Sequence, residues 1–264
     1  MHYLDEGEGM PVILLHGNPT WSFMYRELVK HLRSDFRCIV PDHMGCGLSE
    51  KPQKYTYRLK DHIDNLLLLI EHLGLESFHL VVHDWGGAIG FGAALQVIDR
   101  VKRIQVLNTA AFRSNRIPLS IRLCRIPLLG ELWVRGCNGF ALPATRMAVE
   151  KKLSENVKQG YLFPYFDWDN RIATHRFVKD IPLSKGHVSY PELLRIEEGL
   201  AQFKEHPLNI LWGGKDFCFN KAFYEEWRHR FPNASAHCLP DAGHYLLEDA
   251  TEVCLERIAE FLKG

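Results

Sequence analysis

The sequence predicts an α/β fold: a mostly parallel central sheet with a helical cap inserted between two of its strands. Three observations carry this. Short, nearly continuous apolar runs alternate with helical patterns, as expected of parallel strands buried on both faces. The stretch from 112 to 186 breaks that rhythm, holding Pro118, Pro127, Pro143, Pro164 and Pro182, many aromatics and no strand run. Finally, the strand Phe78 to Val82 runs through His83-Asp84-Trp85 into a glycine-rich helix opening at Gly86. That is the layout of a nucleophile elbow, in which a sharp strand-to-helix turn lifts one side chain to the top of a sheet.

The elements follow in order. A first strand is expected at His2 to Asp5 and a second at Val12 to Leu15, followed by the turn His16-Gly17-Asn18-Pro19-Thr20. Gly17 and Pro19 shape that turn; it aims Asn18 N–H groups into a site, and Thr20 is suited to cap the helix Trp21 to Leu32. Strand Arg37 to Val40 and helix Leu59 to Leu73 come next, with Leu66 to Ile70 as the helix's buried stripe. After the elbow, helix Gly86 to Val97 leads to strand Ile104 to Leu107. The cap follows, giving a core of 1–111 and 187–264 around a cap of 112–186. Strands Asn209 to Trp212 and Ala236 to Leu239, and a closing helix Thr251 to Leu262, complete the sheet. Right-handed crossovers gather the functional loops at the carboxyl edge of such a sheet.

Composition narrows the class. The formal net charge is +0, which offers nothing to nucleic acid or an anionic membrane. No apolar run is long enough to span a bilayer. The first seven residues do not read as a secretory signal. Seven scattered cysteines, with no CxxC pair, suit reduced thiols in a cytoplasmic protein. Despite 14 histidines, no metal-ligand spacing is present, and no cofactor is expected.

The chemistry is concentrated at strand ends. At the elbow the lifted residue is Asp84 rather than the usual Ser. A carboxylate attacks carbon and leaves an ester on the enzyme, so an electrophilic carbon centre is implied; a plain helix cap is the competing role. Trp212-Gly213-Gly214-Lys215-Asp216 and Asp241-Ala242-Gly243-His244 follow the next two strands. Asp216 alone also reads as a cap, and His244 in a Gly turn is a candidate base. Together Asp84, Asp216 and His244 stand in the chain order of an α/β-hydrolase triad.

At this point His16-Gly17-Asn18-Pro19-Thr20-Trp21, Pro41-Asp42-His43-Met44-Gly45-Cys46-Gly47-Leu48-Ser49, His83-Asp84-Trp85-Gly86-Gly87 and Gly243-His244-Tyr245-Leu246-Leu247-Glu248-Asp249 resemble the haloalkane dehalogenases, over nearly the whole chain. The resemblance implies an α/β-hydrolase fold, Asp84 as nucleophile, His244 as water-activating base, Asp216 as its orienting acid, and Asn18 with Trp85 as a halide-binding pair. Leu107-Asn108-Thr109-Ala110-Ala111 offers no acid at the position one subgroup uses, so Asp216 with the Asn–Trp pair looks like the third subfamily. That subfamily is similar to the β-lactone decarboxylases of bacterial long-chain olefin synthesis. Gly45-Cys46-Gly47, Asn108 to Phe112 and Asn170 to Thr174 fit that group, and the same catalytic residues serve both. The family usually has a further strand before the first one here; an uncovered edge invites self-association, so a homo-oligomer is expected.

The first expectation is therefore hydrolytic dehalogenation. Asp84 displaces halide from a small apolar halogenated substrate, water activated by His244 cleaves the ester, and alcohol and halide leave. A dry, apolar pocket is required, with donors only where the halide departs. Phe140, Leu142, Met147, Phe163, Phe166, Phe219 and Leu246 are its candidate walls. β-Lactone decarboxylation is the alternative. Tyr161 and Tyr165, four apart in the cap, suggest epoxide hydrolysis as a third choice. A non-catalytic binding module on the same fold is the reading from another class.

Overall fold

The structure, a computed structural model, describes residues 1–264. Seven strands form one sheet in the order β1-β3-β2-β4-β5-β6-β7. They are β1 (Tyr3–Glu6), β2 (Met10–Leu15), β3 (Phe36–Pro41), β4 (Phe78–Asp84), β5 (Val101–Thr109), β6 (Leu208–Gly213) and β7 (Ser235–Leu239). Only β1 runs antiparallel, paired with β3 from Tyr3 against Pro41 to Glu6 against Cys38. The order reverses on either side of β2, so loops after β2 and β4 meet at the carboxyl edge, where open α/β sheets place their sites.

Both faces of the sheet are covered, and the strands alternate between them with a period of two. Ile13 and Leu15, Leu80 and Val82, Ile104 and Val106, and Ile210 and Trp212 pack into one core. Val12 and Leu14, Val81, Leu107 and Leu211 pack into the other. The first core receives α2 (Leu59–His72) and α3 (Trp85–Ala94); the second receives α1 (Arg26–Leu32) and α12 (Thr251–Lys263). The segment before α1 differs from expectation. Ser22–Tyr25 is a 3₁₀ turn, and Thr20 does not cap it; its hydroxyl closes the preceding loop on Gly17 instead.

No strand occurs between Thr109 and Leu208. The intervening helices are α4 (Leu119–Leu123), α5 (Leu129–Glu131), α6 (Ala141–Met147), α7 (Glu155–Leu162), α8 (Ile172–Asp180) and α9 (Tyr190–Gly199), with a π-helical segment at Leu132–Gly136. Ile121, Cys124, Val134 and Val178 give them a small core of their own. Helix α9 returns to the sheet, where Arg195 donates to the Gly92 carbonyl of α3 (3.2 Å). Helices α10 (Lys221–Arg230) and α11 (Leu246–Asp249) complete the chain.

Three carboxylates, beside single bonds such as Trp21 Nε1 to the Gly160 carbonyl (3.1 Å), tie the helical insertion to the sheet domain. Asp249 accepts from the amides of Glu150 (2.9 Å) and Lys151 (2.8 Å) and from Gly243 (2.7 Å). Glu248 receives the Tyr161 hydroxyl (2.6 Å) and both Arg26 nitrogens (2.5 and 2.8 Å). Asp180 caps α2 by accepting from the Leu59 amide (2.8 Å), while Arg58 (3.1 Å) and Ser189 (2.7 Å) complete its shell.

Candidate active site

Strand β4 runs two residues further than the apolar pattern indicates and ends on Asp84 itself; α3 opens at Trp85 rather than Gly86. Asp84 has φ +51°, a left-handed backbone rare for a residue with a side chain. Such strain persists where the surroundings over-determine it, and they do here. A Cβ on Gly86 would collide with the Leu15 carbonyl, and one on Gly17 with the Asp84 carboxylate. These two glycines let the loops after β2 and β4 close on each other. Thr109 at the end of β5 also donates its hydroxyl to the Asp84 carbonyl.

The Asp84 side chain is buried and does not cap its own helix in the side-chain sense. Its Oδ1 accepts from the Asn18 amide (2.7 Å). Its Oδ2 faces His244 Nε2 at 3.7 Å. One oxygen is thus anchored by a backbone donor and the other faces the imidazole. His244 Nδ1 sits 2.7 Å from Asp216 Oδ2. Asp216 is itself held by four bonds: its Oδ1 accepts from the Cys218 (2.6 Å) and Phe219 (2.9 Å) amides, and its Oδ2 from Asn108 (2.9 Å) as well as His244. It does not cap α10, a task taken by Asn220.

Asn108 was missed at the sequence level. It ends the apolar part of β5 and clamps the neighbouring strand, accepting from the Gly213 amide (2.7 Å) and donating to the Gly213 carbonyl (3.0 Å) as well as to Asp216. The available signal was a polar Asn-Thr pair at the carboxyl end of the strand. His83 similarly supports the base loop, its Nε2 lying 2.9 Å from the His244 carbonyl.

Charge follows from this packing. Burial is the main influence on Asp84 and raises its pKa above the ordinary carboxylate value, against the pull of His244 and the Asn18 amide. For His244, burial works downward, but Asp216 on one nitrogen and Asp84 beyond the other outweigh it, and its pKa is raised.

A cavity of about 440 Å³ opens above these residues, lined by Asn18, Asp84, Trp85 and His244 at its floor and mostly by apolar side chains elsewhere. Trp85 is half-buried and rests against Phe177, ring centroids 5.2 Å apart. The Asn18 side chain gives one N–H to the Thr174 carbonyl (3.1 Å), while its Oδ1 has no partner. Of the expected walls, Phe140, Met147 and Phe219 line the cavity. The others do not. Leu142, Phe163 and Phe166 are exposed on the outside of the cap, and Leu246 is fully buried in the opposite core, where α11 packs. The two cap tyrosines do not form an epoxide clamp. Pro164 separates them into α7 and a 3₁₀ turn; Tyr161 is spent on Glu248, and Tyr165 donates to the Thr20 carbonyl (3.3 Å). The third choice loses its support.

The fold is shared with known proteins. The alpha/beta hydrolase fold family matches residues 10–251. The chain is 45% identical to a cis-3-alkyl-4-alkyloxetan-2-one decarboxylase of Shewanella oneidensis, over 99% of this chain and 85% of that protein. It is 32% identical to haloalkane dehalogenase 2 of Mycobacterium tuberculosis, over 98% of this chain and 90% of that one. The crystal structure of a putative ancestral haloalkane dehalogenase superposes with a TM-score of 0.90 at 28% identity, covering 100% of this chain and 96% of that chain.

Proposed function

Because this chain belongs to the α/β-hydrolase fold family, as an enzyme of the haloalkane dehalogenase type, we propose that it decarboxylates a cis-dialkyl β-lactone to an alkene. The observation that carries this is the identity over nearly full length, 45% to a cis-3-alkyl-4-alkyloxetan-2-one decarboxylase against 32% to a haloalkane dehalogenase. It reverses the order of the two readings reached from the residues alone. In this reading residues 112–186 act as the cap and the remainder as the catalytic core. The seven unpaired thiols suit a reducing compartment, and we place the enzyme in the cytoplasm.

The proposed step is the dehalogenase attack with a different leaving group. Asp84 Oδ2 attacks the ring carbon bearing the ring oxygen, and that C–O bond breaks with inversion. The freed carboxylate stays attached to the neighbouring carbon and turns toward the Asn18 and Trp85 side chains. The indole N–H suits it, being a donor without an acceptor to repel an anion. Carbon dioxide then leaves, its bonding pair forms the C=C bond, and the pair of the Asp84 ester bond returns to Asp84. No water is consumed. Inversion places the ester antiperiplanar to the carboxylate, so cis substituents on the ring become cis substituents on the alkene.

In the second reading an alkyl halide takes the lactone's place, halide leaves toward Asn18 and Trp85, and His244 deprotonates the water that cleaves the ester. The Asn18–Trp85 pair and the match to dehalogenase structures favour it. The deciding experiment incubates the purified enzyme with a long-chain cis-3,4-dialkyl β-lactone and, separately, with 1-bromobutane and 1,2-dibromoethane. The proposal requires cis-alkene and CO₂ from the lactone. Halide release with no alkene would transfer the assignment to dehalogenation, and a β-hydroxy acid in place of alkene would reject the fragmentation step.

A further inference from the structure

The outer surface of residues 113–147 is unlike the rest of the chain. The protein as a whole has a formal net charge of +0, yet this section holds six arginines and a single acid, Glu131. Glu131 is taken by Arg135 (2.6 Å). Arg116, Arg122 and Arg146 have no carboxylate partner; Arg122 reaches only the Asn115 carbonyl (3.4 Å). Among these arginines, Leu119, Leu123, Leu128, Leu129, Leu132 and Trp133 are exposed. Leu119 and Leu123 are one turn apart on α4, and Leu129, Leu132 and Trp133 share the i, i+3, i+4 spacing of one helical face. Leu128 is 77% exposed and has φ +62°, a conformation in which water favours Gly or Asn over Leu. Soluble monomers rarely present so contiguous an apolar face without a use for it.

This face is continuous with the cavity. Leu123, Trp133, Met147 and Arg116 both line the cavity and reach the outer surface. No helix is long and apolar enough to cross a membrane. Against the expectation from the overall net charge that the chain has no membrane partner, we infer that residues 113–147 dock on an anionic bilayer surface. The leucines enter the boundary between headgroups and acyl chains, the arginines meet lipid phosphates, and the cavity mouth opens toward hydrocarbon. The charge pattern selects this occupant. A second copy joined through the same face would bring its exposed, unpaired Arg116, Arg122 and Arg146 against these three, and like charges repel across such a contact. The docking does not depend on which reaction Asp84 performs. Its consequence is that an apolar substrate dissolved in a bilayer reaches Asp84 without crossing water.

The test is sedimentation of the full chain with vesicles of phosphatidylcholine alone and of phosphatidylcholine mixed with phosphatidylglycerol. Binding is expected to the anionic vesicles and to weaken between ~0.1 and ~0.5 M NaCl. Leu128→Asn/Leu129→Gln/Leu132→Gln and, separately, Arg122→Glu/Arg146→Glu should each weaken binding about ten-fold or more. None of these five residues lines the cavity, and thermal unfolding of the variants verifies that they fold. Failure of the wild-type chain to bind anionic vesicles would overturn the inference, as would unimpaired binding by the leucine variant. A dimer dispersed by the leucine variant, or capture of an acidic protein, in the absence of vesicle binding would give the face to another partner and overturn it equally.

Discussion

At the scale of single residues, the site divides labour between the two oxygens of Asp84. One is anchored by the Asn18 amide and the other faces His244. Asp84→Ala should therefore cut turnover by roughly 10⁴-fold or more while the protein stays folded; alkene or halide formation by a variant of unchanged circular dichroism measures this. His244→Ala separates the two proposed reactions. With 1-bromobutane it should release one equivalent of bromide and stop, leaving an alkyl adduct visible by intact mass, since attack needs no base and ester hydrolysis does. With a β-lactone it should continue to turn over, since the fragmentation consumes no water and needs no base. A trapped adduct with the lactone would contradict the fragmentation. Much of this site was legible beforehand, because Asp84, Asp216 and His244 each follow a strand and stand in triad order. Asn108 was not, because an amide at the end of a strand carries no mark of the three bonds it makes. The Asn18 side chain is a similar case: its donation to Thr174 joins residues 156 apart, beyond the reach of any local pattern.

At the scale of elements, the strands were the most legible part, since a parallel strand buried on both faces must be apolar along its length and little else in a chain looks so. The cap walls were the least. Aromatic residues in short helices read the same whether they face a cavity or solvent, and Phe163 and Phe166 face solvent. Nor did sequence reveal how the cap is held. The short helix α11 supplies Glu248 and Asp249, which bind the cap on one side while Gly243, beside the base, hangs from the same Asp249 carboxylate. Asp249→Ala leaves three amides without an acceptor. It should cost about 2–4 kcal/mol of stability, lowering the melting temperature by roughly 5–10 °C, and also reduce activity by loosening the loop that carries His244. A loss of stability without loss of activity would show that the loop is positioned by Asp216 alone.

At the scale of the whole molecule, the titration of the site reports the reaction. Hydrolysis of an Asp84 ester needs neutral His244. Its raised pKa means that the neutral form is lost as pH falls through a value above the ordinary ~6.5, so halide-releasing turnover should have its acid limb there. Lactone fragmentation has no need of the neutral imidazole and should persist at lower pH until Asp84, itself shifted upward, takes up a proton. Rate–pH profiles with the two substrates measure the separation, and coincident acid limbs would remove the distinction. The three carboxylate fastenings of the cap bear on how any substrate arrives. Asp249, Glu248 and Asp180 pin residues 150–151, 161 and 180 to the sheet domain, and none of them touches α4. The cap is therefore a roof nailed at several points, with α4 left as a loose shingle. Amides of residues 119–123 should exchange with solvent deuterium well ahead of those at 150–151, and traffic through the roof should follow the movement of α4 alone.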